Sequence, residues 1–142
     1  MLDSRTQTAY AALLLRVSLG IMFVAHAGLK LFVFTLPGTV QFFESIGYPG
    51  FFAYIVTFAE LFGGIALIVG FQVRAVSLAF VPILIGATLQ HAGNGWMFAS
   101  QGGGWEFPAF WTVALLVQAL LGAGAFALKI PALPEIGERQ PA

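Results

Sequence analysis

A handful of side chains in an otherwise apolar chain could do chemistry. Arg16, His26 and Lys30 fall in the first hydrophobic run, Glu60 in the second and His91 at the end of the third, while Glu106 and Gln118 belong to the fourth. A charge placed inside a membrane span costs roughly 2.5–3.5 kcal/mol on insertion scales, so each of these needs a partner. Arg16 and Glu60 are matched for a charge-assisted pair, with Gln118 able to take leftover donors. The plainer reading of that pair is a structural lock between two helices. The functional one is a carboxylate that handles protons or a grip on a polar head group. His26 and Lys30 are four residues apart and share a helix face. With His91 and Glu106 they can line an outer pocket for a polar ring such as a quinone. Imidazole and ammonium donors suit a carbonyl oxygen that gains negative charge on reduction. His26 and His91 could instead ligate a haem iron, a weaker reading because these two histidines are all the chain contains. The plain alternatives are a lysine that snorkels to the head groups and a histidine bonded within the protein interior. Trp96, Trp105 and Trp111 either wall the pocket or form part of the interfacial aromatic belt.

The frame that must position these groups is set by composition. The 142 residues are 59% hydrophobic and only 8% charged, against about 25% charged in a soluble domain. With a mean hydropathy of +0.91, the chain reads as one all-α, integral membrane domain. Zero net charge and the absence of any basic block argue against nucleic acid as a partner. No cysteine is present, which removes disulfides, thiolate metal sites and a thiol relay of its own. Any redox electrons must therefore come through a partner protein or a bound group.

A span needs about 20 apolar residues, and four segments qualify, at about 9–34, 51–70, 75–91 and 107–128. The first reads as an uncleaved span, being too long for a signal-peptide core. Thr39–Gly47 reads as a short amphipathic surface helix between spans 1 and 2, Pro82 predicts a kink in the third span, and 129–142 is a polar tail. Gly102–Gly104 is no phosphate loop, because no Lys-Ser/Thr follows it. With about 1.5 Å of rise per residue, the polar groups sort into two layers. Arg16, Glu60 and Gln118 form one, and His26, Lys30, His91 and Glu106 form the other. Arg5, Arg16, Arg74, Lys129 and Arg139 lie toward the side of the termini, with Lys30 alone toward the other. The positive-inside rule then predicts a multi-pass protein of the inner (plasma) membrane with both termini cytoplasmic.

The pattern of Arg16, Leu19, Gly20, Phe23, His26, Gly28 and Lys30, then Glu60, Gly63, Gly64 and Arg74, resembles the DoxX family of small four-helix membrane proteins. The likeness extends over roughly residues 13–128 and is most specific in the first two spans. It implies a four-helix bundle and an association with quinone-linked oxidoreduction, including thiosulfate oxidation, and with responses to quinone, catechol or thiol stress. The expectation is a small membrane subunit that binds a quinone-type or similar hydrophobic ring and works with a redox partner in the lipid bilayer. Its site would be His26, Lys30, Glu60, His91 and Glu106, with Arg16 holding Glu60 and no metal. A different class of function is a non-catalytic chaperone, anchor or small-molecule transporter, which would have to form a homo-oligomer to enclose a path. The small-residue faces Ala59/Gly63/Ala66 and Ala119/Gly122/Ala123 suit either bundle packing or a dimer.

Overall fold

The computed structural model describes residues 3–130 and residue 136. Every element is helical: α1 (Ser4–Gly28), continued by a π-helical turn (Leu29–Val33), α2 (Leu36–Ser45), α3 (Phe51–Val69), α4 (Val73–His91) with a single 3-10 turn (Ala92–Asn94), and α5 (Glu106–Leu121). Among the described residues, three helices are long and apolar enough to cross a membrane: α1 with its π turn, α3, and α4 with its 3-10 turn.

Local sequence explains where the helices start and stop. Asp3 caps α1 by accepting the Thr6 N–H at 2.7 Å, which satisfies one of the orphan donors of the first turn. Thr35 Oγ accepts the Gly38 N–H and Pro37 sits in the first turn of α2, where a missing N–H costs nothing. The amphipathic helix thus begins at Leu36, three residues before the expected Thr39. Gly70, in the left-handed region at φ 79°, ends α3, and its own N–H and that of Phe71 both reach the Ala66 carbonyl.

One boundary differs clearly from expectation. α5, which takes the place of the fourth expected span, ends at Leu121, not near Leu128, so at 16 residues it is shorter than α1, α3 and α4. Gly122 and Gly124 take positive φ values of 79° and 71°, and residues 122–128 fold back across the bundle end, with the Ala125 N–H on the Ala9 carbonyl and the Leu128 N–H on the Val69 carbonyl. A Cβ on Gly124 would come within 2.5 Å of the Ala9 carbonyl oxygen, so the returning segment lies directly on α1. Of the polar tail, Lys129, Ile130 and Ile136 are described, and residues 131–135 and 137–142 lie outside the described residues.

The long helices pack in adjacent pairs, α1 on α3, α3 on α4, α4 on α5 and α5 on α1. Glycines set the closest approach. A Cβ on Gly20 would sit 2.6 Å from the Gly64 carbonyl oxygen, so α1 and α3 touch backbone to backbone. Gly63 makes room for the Phe80 ring of α4, which places the Ala59/Gly63/Ala66 face at least partly inside the bundle. Phe23 lies at the centre. It stacks on Phe80 with ring centroids 3.7 Å apart and leans on Trp111 of α5 at 4.5 Å.

Candidate functional site

The two polar layers are built differently from the pairing that depth alone predicts. Arg16 does not hold Glu60. It is 1% exposed, and its guanidinium donates only to backbone carbonyls. Nε reaches Ala123 at 2.8 Å, Nη1 reaches Leu67 at 2.9 Å and also Ile68, and Nη2 reaches Ala125 at 2.8 Å and Phe126 at 3.1 Å. These are carbonyls at the C-terminal end of α3 and in the segment after α5, where helix geometry leaves acceptors unpaired and the dipole favours a cation. Arg74 plays a related part by donating to the Ala119 carbonyl at 2.9 Å. Gln118, fully buried, donates to the Gly122 carbonyl at 2.7 Å, and its Oε1 accepts no donor of Arg16. This end of the bundle is a staple for helix ends.

Glu60 instead meets Lys30. Lys30 Nζ donates to Oε1 at 2.9 Å and to Oε2 at 2.7 Å. The cause is the direction in which helical side chains leave the backbone. Each Cα–Cβ bond tilts toward the helix N-terminus. Because α1 and α3 run antiparallel, Lys30 leans toward the bundle centre while Glu60 leans toward Lys30. Arg16 leans the same way as Lys30, toward the start of α1, and therefore away from Glu60. The π-helical turn at Leu29–Val33 contains Lys30, and such turns rotate the side chains that follow relative to a regular helix.

The ion pair borders a cavity of about 490 Å³. His26, Lys30, Glu60, Gln90 and His91 supply its polar lining. Phe42 and Phe43 of α2 with Ile46 just after it form one wall, and Phe52, Leu84 and Trp111 contribute from α3, α4 and α5. The short helix α2 is therefore part of the site and not only a surface element. Trp111 rests on Phe23, so the aromatic stack separates this cavity from the Arg16 end. Pro82 also lines it. Having no N–H, Pro82 leaves the carbonyl one turn earlier in α4 without its usual helical donor.

Both histidines are oriented by backbone carbonyls. His26 Nδ1 lies 2.8 Å from the Met22 carbonyl and His91 Nδ1 lies 3.1 Å from the Gly103 carbonyl. A carbonyl can only accept, so the hydrogen-bond network assigns the proton to Nδ1 in each ring and leaves Nε2 available. Glu106 does not line the cavity. Its Oε1 accepts the Phe98 N–H at 2.6 Å and ties down the glycine-rich loop, as Asn94 does through the Gly102 and Gly103 carbonyls. Trp96 and Trp105 are exposed in that loop, so of the three tryptophans only Trp111 walls the cavity. The polar groups brought together are thus His26, Lys30, Glu60 and His91. Gln90 joins them, and nothing but its adjacency to His91 marked it in the sequence.

This constellation of Lys30, Glu60 and His26 on the first two long helices falls inside a recognisable sequence pattern. The family model described as DoxX matches residues 11–93, more than half of the chain. The chain belongs to the DoxX family. A protein of Bacillus subtilis (strain 168) named "Putative oxidoreductase CatD" is 47% identical over 77 residues, which cover 54% of this chain and 56% of that relative. The match therefore spans little more than half the length of the curated relative. No solved structure matches the chain. As a DoxX-family membrane protein, it carries its cavity on the part of the chain that defines the family together with Phe107, Pro108 and Trp111 beyond it.

Proposed function

We propose that the cavity binds a quinone-type ring and that the protein serves a membrane oxidoreductase as its ring-binding subunit. The observation that carries this reading is a cation locked by a carboxylate inside an apolar cavity, with two oriented imidazoles beside it. The volume of about 490 Å³ falls in the range of small-molecule pockets, roughly 300–1,000 Å³, and the mix of aromatic walls with a few polar groups suits a flat ring with polar edges. An ammonium has three N–H donors, and Glu60 takes two of them. The third is left for a ring carbonyl. Bound there, a quinone would supply a couple of two electrons and two protons. Lys30, held in place by Glu60, presents positive charge where a carbonyl oxygen gains negative charge, and a preorganised donor does not have to reorient during the reaction. His26 and His91 keep Nε2 for taking or giving a proton at a ring oxygen.

The chain has no cysteine, so the electrons pass to or from the ring through a partner protein or a further bound group. The name of the Bacillus relative, an oxidoreductase, supports the same class of chemistry. Arg5, Arg16 and Arg74 lie toward the end of the bundle away from the cavity, and by the positive-inside rule that end is cytoplasmic. The cavity then opens toward the outer leaflet of an inner (plasma) membrane.

The test is ligand identification. Protein purified from its native membrane is extracted into organic solvent and the extract is analysed by mass spectrometry. Added 1,4-naphthoquinone should raise the thermal stability of the ligand-free protein, since about 2.7 kcal/mol of stabilisation is expected at a hundredfold excess over Kd. If no ring co-purifies and no quinone moves the unfolding temperature, the reading fails. A Soret band lost in His26→Ala and His91→Ala would replace the quinone with a haem.

A further inference from the structure

Trp111 holds a hydrogen-bond donor that the fold does not use. The residue is 5% exposed, and its Nε1–H has no acceptor among the described residues. Leaving a buried donor unpaired is costly, because it has given up its hydrogen bond to water and gained none in return. The ring itself is well placed for packing, against Phe23 at 4.5 Å, Phe107 at 5.6 Å and the His26 ring edge-on at 4.9 Å. A phenylalanine could keep much of that packing without a buried polar atom. Trp111 also lines the cavity that contains Lys30 and His26.

We infer that Trp111 is a ligand-binding residue whose indole N–H donates to an acceptor atom on the bound ring. This inference rests on the ring-binding reading above and narrows it. The N–H is covered by protein in this structure, so the indole must turn toward the cavity as the ligand brings an oxygen or nitrogen lone pair to the α5 side, and a carbonyl-bearing ring is favoured over a hydrocarbon of the same shape. A well-placed hydrogen bond of this kind is worth about tenfold in affinity, the equivalent of about 1.4 kcal/mol.

The experiment compares 1,4-naphthoquinone with naphthalene, which has the same carbon skeleton and no acceptor. Binding of both is measured to the full-length protein and to Trp111→Phe. The expected result is a loss of about tenfold for naphthoquinone with naphthalene unchanged. Equal weakening of both probes would make Trp111 a packing wall, and no weakening of either would make it irrelevant, and each of these overturns the inference while leaving ring binding intact. If the unaltered protein holds naphthoquinone no better than naphthalene, the ring-carbonyl reading falls and the inference falls with it. A second measurement avoids the variant. The indole N–H proton resonance of Trp111, assigned by elimination with Trp96→Phe and Trp105→Phe, should move downfield when naphthoquinone is added and stay in place with naphthalene. An unmoved resonance at saturating naphthoquinone overturns the inference.

Discussion

Lys30 and Glu60 form a two-pronged ion pair between α1 and α3, with Nζ at 2.9 and 2.7 Å from the two carboxylate oxygens. The side chains are only 17% and 8% exposed. Neither charge could be buried here alone, and each makes the other tolerable.

Removing one member should therefore hurt more than removing both. Glu60→Gln and Lys30→Met should each lower stability by about 3 kcal/mol, because the remaining group is left without its partner. The double variant Lys30→Met/Glu60→Leu should lose clearly less than the sum. Denaturant unfolding in detergent micelles measures all three, and additive losses would show that the pair does not couple.

Arg16 and Glu60 should behave as independent sites. Arg16→Ala abandons carbonyls on α3 and in the segment after α5, and a loss of about 3 kcal/mol or more is expected from hydrogen bonds to a charged donor. Arg16→Lys should recover only part of it, since an ammonium cannot reproduce the guanidinium fork. In a double-mutant cycle with Glu60→Gln the effects should add to within about 0.5 kcal/mol. A coupling well above that would restore a direct pairing of the two.

Gly20→Ala should loosen the contact between α1 and α3. The added methyl would lie 2.6 Å from the Gly64 carbonyl oxygen and 2.6 Å from an Ile68 side-chain carbon. Overpacking of this sort costs about 1–3 kcal/mol. Gly28→Ala, where a Cβ meets nothing within 4 Å, is the control and should leave unfolding unchanged or slightly improved. Equal effects at the two positions would contradict the close approach.

The first turn of α1 should fray in acid. Asp3 lies outside the apolar span, and the hydrogen bond from the Thr6 N–H holds its carboxyl below the usual carboxylate range. A depressed folded pKa means that the cap contributes fully above the unfolded value near 3.8 and is lost as pH falls through the folded value. The Thr6 amide resonance should report that transition, and in Asp3→Ala it should no longer titrate with it.

Much of the architecture is local and could be read along the chain. The stops near Pro37-Gly38, Pro49-Gly50 and Gly70 are written in residues whose backbone preferences act over one turn. The end of α5 was harder to see, because the apolar run continues through Ala123, Ala125 and Phe126. What bends the chain there is a pair of glycines with positive φ and the Arg16 guanidinium that gathers the carbonyls of the returning segment. The role of Glu106 was equally hidden, since its donor is a backbone N–H of a loop whose fold no periodicity describes.

The sequence by itself determined the class of molecule, a cysteine-free, all-helical membrane protein, and offered His26, Lys30, Glu60, His91 and Glu106 as the candidate groups for chemistry. Hydropathy and helix propensity are properties of neighbours in the chain, so they need no tertiary information. Which charge meets which was decided only by the packed structure. Depth along a helix axis places Cα atoms. Pairing depends on the lean of each Cβ, on the antiparallel run of α1 and α3, and on the backbone contact at Gly20 and Gly64 that fixes their register. For that reason Lys30 holds Glu60 at the cavity, and Arg16 serves the helix ends.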